Sequence, residues 1–85
     1  MEIIYQPKAL EDLKYWKRSG QKQIQSKILT LIQSIQESPF EGIGKPEALK
    51  HSFTGMWSRR INNEHRLIYE VKDDRVHIYS LKDHY

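Results

Sequence analysis

The sequence contains no cysteine, so disulfide bonds and thiolate metal ligands are excluded. A chain of 85 residues without such cross-links depends on one small hydrophobic core. We therefore predict a single domain over residues 1–85. The absence of cysteine also fits a reducing compartment, and we expect a cytoplasmic protein.

Long apolar runs are also missing. No segment approaches the roughly 20 apolar residues that a membrane-spanning helix needs. The first seven residues lack the basic stretch and the apolar core of a signal peptide. We therefore expect no membrane partner.

Motifs for metal and nucleophilic chemistry are absent as well. The histidines form no helical pair of metal-ligand spacing, and they stand at His51, His65, His77 and His84. The glycines of residues 42–46 lack the spacing of a phosphate-binding loop, and no serine lies in a nucleophile-elbow context. We predict neither a metal nor a cofactor, which leaves acid–base chemistry.

Positive charge is present and concentrated. The net charge is +3 and the pI is about 9.2. Residues 45–66 alone carry an excess of +3, from Lys45, Lys50, Arg59, Arg60 and Arg66 against Glu47 and Glu64. This concentration favours an anionic partner such as RNA.

The apolar pattern divides the chain into a helical half and a β-rich half. Residues 7–18 predict a helix with Leu10, Leu13 and Trp16 on its buried stripe. A second, antiparallel helix is predicted by the apolar face Ile24, Ile28, Leu31, Ile32 and Ile35. Glycine and proline mark residues 38–46 as a loop. Strand patterns cover 2–5, 47–51, 56–62, 65–72 and 75–81, so the fold class is α+β.

The alternation of apolar residues also predicts a strand register. A three-residue loop at 62–64 places Ile61 on the same face as Leu67 and Tyr69. Arg60 and Arg66 then lie opposite each other on the other face, where two cations repel unless an anion lies between them. The alternative is that both arginines extend into water. A two-residue turn at 73–74 would place Val76 and Ile78 on the apolar face, and His77 and Tyr79 on the face of the arginines.

Metal-free cleavage of RNA needs a base, cations for the phosphate and an acid. Glu47, flanked by lysines, suits the base; Arg60 and Arg66 suit the phosphate; His84 suits the acid. On composition alone, Glu47 is equally well a solvated carboxylate, the lysines surface charges and the last two residues a frayed end. These patterns by themselves support a basic α+β domain suited to RNA.

Longer motifs narrow the choice of function. Residues 39–51 (PFEGIGKPEALKH), 55–61 (GMWSRRI) and 64–69 (EHRLIY), with the terminal His84–Tyr85, closely resemble the YoeB/Txe branch of the RelE-like toxins. The resemblance implies two helices packed on a twisted antiparallel sheet, similar to a microbial ribonuclease. It implies the toxin of a bacterial toxin–antitoxin pair, which cleaves mRNA in the ribosomal A site without metal and leaves a 2′,3′-cyclic phosphate.

The resemblance also implies roles for individual residues. The general base falls on Glu47, the general acid on His84 and the phosphate-stabilising arginine on Arg66. Tyr85 matches a terminal aromatic that positions the substrate. The cations expected to contact RNA are Lys45, Lys50, Arg59 and Arg60.

The partners implied are mRNA on the ribosome, a YefM-like antitoxin that lays its C-terminal segment over the toxin, operator DNA through that complex, and a second copy of the chain. Two alternatives stay open: a non-enzymatic module that acts on a protein target, as ParE-like relatives do, or a chain that acts only as co-repressor of its antitoxin.

Overall fold

The computed structural model describes residues 1–83, and the terminal residues His84 and Tyr85 lie outside this range. The helices and strands follow in the order β1 (Glu2–Tyr5), α1 (Pro7–Ser19), α2 (Lys22–Glu37), β2 (Glu47–Ala48), β3 (Trp57–Arg60), β4 (Arg66–Lys72) and β5 (Arg75–Ser80). Within the described range, neither helix combines the length and the apolar character that a membrane crossing requires.

The two helices form where the apolar periodicity predicts them. Pro7 opens α1, where its missing N–H costs nothing, and Gly20 ends it at φ 72° in the left-handed region that glycine adopts freely. Gln25 of α2 donates its side-chain amide to the carbonyl of Trp16 at 2.9 Å, which ties the two helices together. One detail was wrong: Leu10 is 46% exposed, because α1 instead turns Ala9, Asp12 and Trp16 inward.

The sheet has the order β1-β5-β4-β3-β2. Strands β2 to β5 pair antiparallel, but β1 pairs with β5 in parallel. The expectation of a wholly antiparallel sheet was therefore wrong in one strand, and the sheet is mixed. Strands joined by a short turn must run antiparallel. Both helices and three strands separate β1 from β5 in the chain, so no short turn fixes the direction of β1.

The core lies between the helices and one face of the sheet. Its fully buried members include Trp16, Leu31, Ile35, Leu67, Tyr69, Val76 and Ile78. Each large apolar side chain buried in this way contributes about 1.5–3 kcal/mol relative to an exposed one. We call the face of the sheet that packs on the helices the helix face, and the opposite one the outer face.

The predicted register of β3 and β4 is confirmed. Arg60 pairs with Arg66, and the N–H of Ile61 donates to the carbonyl of His65 at 2.9 Å. Residues 62–64 form the loop, in which the Asn62 side-chain oxygen accepts hydrogen bonds from the backbone N–H groups of residues 64 and 65, both at 2.8 Å. These local bonds stabilise the loop, and the loop holds the register.

The turn between β4 and β5 also has the predicted length. Lys72 pairs with Arg75, and the two residues between them, Asp73 and Asp74, have φ of 54° and 57°. Two successive positive φ values define a type I′ turn, which matches the twist of a hairpin. Val76 and Ile78 consequently join the buried helix face.

The strand predicted at 47–51 is shorter than expected. Only Glu47–Ala48 pair with β3, because His51 takes a positive φ of 60° and a 3₁₀ turn follows over His51–Phe53. The chain returns to β3 through a hydrogen bond from the Leu49 N–H to the Met56 carbonyl at 2.9 Å.

Candidate active site on the outer face of the sheet

Three of the predicted site residues share the outer face. Glu47 of β2 lies directly opposite Ser58 of β3, and Arg60, two residues further along β3, lies directly opposite Arg66 of β4. Directly opposed residues in antiparallel strands point to the same side, as do residues two apart on one strand. Glu47, Arg60 and Arg66 therefore project from one surface.

The register also gives the spacing of these residues. Opposed side chains such as Arg60 and Arg66 have Cβ atoms about 5 Å apart, and the diagonal from Glu47 to Arg60 is about 7–8 Å. Glu47 and Arg66 stand two strands apart, so their Cα atoms are separated by roughly 12 Å. Long side chains at these separations can converge on one phosphate group.

None of these three side chains is engaged elsewhere in the described part of the chain. Within residues 1–83 the ion pairs are Lys8–Asp12, Arg75–Glu2 and Lys82–Asp83, and none involves the site. Glu47 and Arg60 are exposed, and Arg66 is half-buried. Two unpaired guanidinium groups facing each other repel, and an anion between them would remove that repulsion.

Ser58 stands between Glu47 and β4 on the same face. Its hydroxyl oxygen is buried and has no hydrogen-bond partner among the described residues. A buried polar group without a partner costs free energy, on the order of 1–3 kcal/mol. The Ser58 hydroxyl, which lies beside Glu47, can therefore still form a hydrogen bond at the centre of the outer face.

Arg59 does not belong to this site. Its side chain is fully buried on the helix face, and its five N–H groups donate to five oxygens: Tyr69 Oη at 3.2 Å, Ser34 Oγ at 2.7 Å, and the carbonyls of Ile43 at 3.2 Å, Ser38 at 2.7 Å and Glu41 at 2.9 Å. The prediction that Arg59 contacts RNA was therefore wrong, because strand alternation turns it inward.

Within residues 1–83, no carboxylate pairs with the buried charge of Arg59. Two of its partners, Ser34 and Ser38, belong to the C-terminal end of α2, where the helix dipole is negative. The guanidinium carbon also lies 5.8 Å from the centre of the Tyr69 ring. Burial raises the pKa of Tyr69, and the hydrogen bond and charge of Arg59 offset part of that rise.

The loop that Arg59 secures leads directly into β2. Within it, Gly44 accepts a hydrogen bond from the Arg60 N–H at 2.7 Å and has a φ of 84°. A Cβ at Gly44 would lie 2.7 Å from Leu31 Cδ2, so the loop is packed tightly between α2 and β3. This packing fixes where Glu47 enters the sheet. Lys45 and Lys50 flank β2 and are exposed.

The last described residue is held beside Arg66. The Arg66 N–H donates to the carbonyl of Asp83 at 2.9 Å, and the Asp83 N–H donates to Nδ1 of His65 at 2.8 Å. His84 and Tyr85, the predicted acid and positioning aromatic, follow next in the sequence and lie outside the described residues. Their roles stay predictions.

Sequence reasoning missed the residues that dock this segment. Trp16 donates its indole N–H to the Leu81 carbonyl at 2.8 Å, and Asp12 accepts from the Leu81 N–H at 2.9 Å. The available signal was an aspartate one helical turn before a tryptophan on an otherwise buried stripe, since a buried carboxylate requires donors.

Beyond Arg66, the outer face carries a hydrogen-bonded pair, Tyr79 and Glu70. Tyr79 donates its hydroxyl to Glu70 at 2.9 Å, and burial together with Glu70 raises the pKa of Tyr79. Glu70 pairs with His77 across the strands, so His77 lies on the face of Arg66, as predicted. Among the described residues, no group of three histidines or carboxylates is placed to hold a metal ion.

Comparison with known proteins gives a consistent set of relatives. Residues 5–85 match the family described as the YoeB-like toxin of the bacterial type II toxin–antitoxin system. The toxin YoeB of Escherichia coli strain K12 is 46% identical over 85 residues, which cover 100% of both chains.

Two solved structures from Staphylococcus aureus are similar in sequence and in fold. The YoeB dimer superposes with a TM-score of 0.91 at 48% identity, and the YoeB–YefM complex with a TM-score of 0.90 at 48% identity. In both cases the match covers 100% of this chain and 98% of the compared chain.

Proposed function

The chain belongs to the YoeB-like toxins of bacterial type II toxin–antitoxin systems, and from that premise we propose that it is a metal-independent endoribonuclease that cleaves mRNA in the ribosomal A site. The observation that carries the proposal is the pair Arg60 and Arg66, directly opposed and without an anionic partner in residues 1–83, with Glu47 on the same face.

The proposed reaction is a transfer within the RNA backbone. Glu47 takes the proton of a 2′-hydroxyl, and the freed oxygen attacks the neighbouring phosphorus atom. The bond from phosphorus to the 5′-oxygen breaks, and His84 donates a proton to that leaving oxygen. The products are a 2′,3′-cyclic phosphate and a 5′-hydroxyl.

The arginines act on the charge that builds up during this transfer. Their planar guanidinium groups stay protonated and can each donate two parallel hydrogen bonds to phosphoryl oxygens. Because they already face each other, little rearrangement is needed when the pentavalent phosphorus forms. Lys45 and Lys50 add positive charge along the path of the RNA strand, and Tyr85 positions the substrate.

The openness of the site favours a requirement for the ribosome. Glu47 and Arg60 are exposed on the surface of the sheet rather than enclosed in a cleft. Aligning a flexible RNA strand for attack by its own hydroxyl is entropically costly. A ribosome that already holds the mRNA in a defined path supplies that alignment, and a ribosomal target implies a cytoplasmic site of action.

The relatives suggest the partners. By likeness to the S. aureus complex, we propose that this chain binds a YefM-like antitoxin. We further propose that the C-terminal segment of the antitoxin covers the toxin and that the complex binds operator DNA. By likeness to the S. aureus dimer, the free chain associates with a second copy.

The test is cleavage of a defined mRNA on translating ribosomes, with a metal chelator present. Glu47→Gln, Arg66→Ala and His84→Ala should each lower the rate by about 100-fold or more. Lys72→Ala, which removes another exposed cation from β4, is the matched control and should cleave normally.

Equal cleavage by all four variants would contradict the assignment of the site. Growth arrest that persists in Glu47→Gln and His84→Ala while the mRNA stays intact would instead support the non-enzymatic alternative.

A further inference from the structure

The segment before the terminal residues is held at two points by consecutive residues. The ring of His65 accepts a hydrogen bond from the Asp83 N–H at 2.8 Å, and the Arg66 N–H donates to the Asp83 carbonyl at 2.9 Å. Both backbone polar groups of Asp83 are thus bound at the start of β4.

The hydrogen bond to the ring defines its protonation. A backbone N–H can only donate, so Nδ1 of His65 must offer a lone pair. His65 is therefore neutral in this arrangement, with its proton on Nε2. In this state Nδ1 of the ring accepts the hydrogen bond from the Asp83 N–H.

The ring is itself fixed by its surroundings. It meets the Trp16 ring edge-on, with centroids 4.9 Å apart and an angle of 80° between the planes. The backbone of His65 is bound on both sides, since its N–H donates to Asn62 Oδ1 at 2.8 Å and its carbonyl accepts from Ile61 at 2.9 Å. Nδ1 of His65 is therefore already held in place, and little conformational entropy is lost when it accepts the hydrogen bond from the Asp83 N–H.

Asp83 needs such support for its backbone. Its φ of 70° lies in the left-handed region, which residues other than glycine adopt only rarely. A conformation of this kind persists where surrounding contacts hold it. The two hydrogen bonds to Asp83 are those contacts.

We propose that His65 is a positioning residue, which holds Asp83 so that the chain runs into His84 and Tyr85 from a fixed point beside Arg66. The proposal rests on the proposed function, because His84 matters here as the general acid. An acid must reach the leaving oxygen while Arg66 holds the same phosphate, and a misplacement of about 1 Å can cost on the order of 100-fold in rate.

Two substitutions distinguish the hydrogen-bond acceptor of His65 from the packing of its ring against Trp16. His65→Phe keeps an aromatic ring against Trp16 but removes the acceptor. His65→Asn removes the ring but keeps an acceptor oxygen near the position of Nδ1. The measurements are kcat and KM for mRNA cleavage on ribosomes, the free energy of unfolding, and the hydrogen exchange of the Asp83 amide followed by NMR.

If His65 positions the terminal residues, His65→Phe lowers kcat by about tenfold or more with KM unchanged within about twofold, and the Asp83 amide exchanges faster. His65→Asn recovers most of kcat although it loses packing against Trp16. A purely structural residue would show the reverse order, with the aromatic substitution the better tolerated.

Full kcat in His65→Phe, or equal losses of kcat in both variants, would overturn the proposal. If the unmodified chain fails to cleave mRNA at all, the proposed ribonuclease function fails instead. The Asp83 amide then still reports on the contact, because unchanged exchange in His65→Phe would show that His65 does not hold it.

Discussion

Arg59 and Arg60 are consecutive arginines whose side chains leave β3 on opposite faces of the sheet. Arg59 donates five hydrogen bonds in the interior, whereas Arg60 is exposed and faces Arg66 without an anionic partner in residues 1–83. The same residue type therefore serves the stability of the fold at one position and the candidate site at the next.

Lysine substitutions should distinguish these two positions. Arg59→Lys keeps the charge but cannot reach five acceptors, so it leaves carbonyl groups of the 38–43 loop unpaired in the interior. We expect a loss of about 3 kcal/mol or more in the free energy of unfolding. The measurement is urea denaturation followed by circular dichroism.

Arg60→Lys is the control for that experiment. Its side chain is exposed, so we expect the free energy of unfolding to change by no more than about 0.5 kcal/mol. Similar losses in the two variants would contradict the separation of roles between the neighbouring arginines.

The tyrosine that contacts Arg59 should make stability depend on alkaline pH. Burial raises the pKa of Tyr69 above its ordinary value of 10.0. The folded chain therefore retains a proton that the unfolded chain loses. The resulting stabilisation is fully present below pH 10.0 and is lost as the pH rises through the folded pKa.

Tyr69→Phe provides the comparison. Near neutral pH it should cost about 1.5–3 kcal/mol, because the Nε–H of Arg59 loses its acceptor. The difference in unfolding free energy between the two proteins should shrink as the pH rises above about 10. A constant difference across this range would show that Tyr69 does not titrate differently in the folded and unfolded chains.

A methyl group at Gly44 should disturb the loop before Glu47. Gly44→Ala places a Cβ 2.7 Å from Leu31 Cδ2 and 3.3 Å from the Arg60 carbonyl oxygen, at a φ of 84°. We expect a destabilisation of about 2–4 kcal/mol, from the crowding together with the left-handed backbone. Thermal unfolding gives the measurement.

Gly20→Ala separates the crowding from the backbone cost. Gly20 has a similar φ of 72°, but a Cβ there would meet no atom within 4 Å. Its substitution should cost only about 1–2 kcal/mol. If Gly44→Ala is no more harmful than Gly20→Ala, the loop is not packed against α2 as tightly as the structure indicates.

The sequence predicts what depends on local periodicity and turn chemistry. The odd-numbered apolar residues of β3 and β4 and the loop at 62–64 are sufficient to place Arg60 opposite Arg66. The same alternation also places Arg59 inward, opposite Leu67. The acceptors that bind Arg59 there come from the end of α2 and the following loop, which only the folded chain brings to β3, so the sequence alone does not separate Arg59 from an RNA ligand.

The docking of residues 80–83 could not be predicted for a similar reason. Trp16 and Leu81 are far apart in the sequence, and no turn or repeat relates them. The parallel pairing of β1 with β5 is equally non-local. Periodicity specifies which residues face inward, but it does not specify which distant backbone groups meet there.

The parallel pairing of β1 with β5 has a consequence for biosynthesis. Translation is vectorial, so β1 emerges first, and its hydrogen-bonding partner is made about 70 residues later, several seconds behind it. Until β5 and Leu81 have been made, β1 has no strand to pair with, and the indole N–H of Trp16 lacks its acceptor, the Leu81 carbonyl. The pairing of β1, which is made before the other strands, is therefore the last to form. A chain that is still being translated consequently has an incomplete sheet.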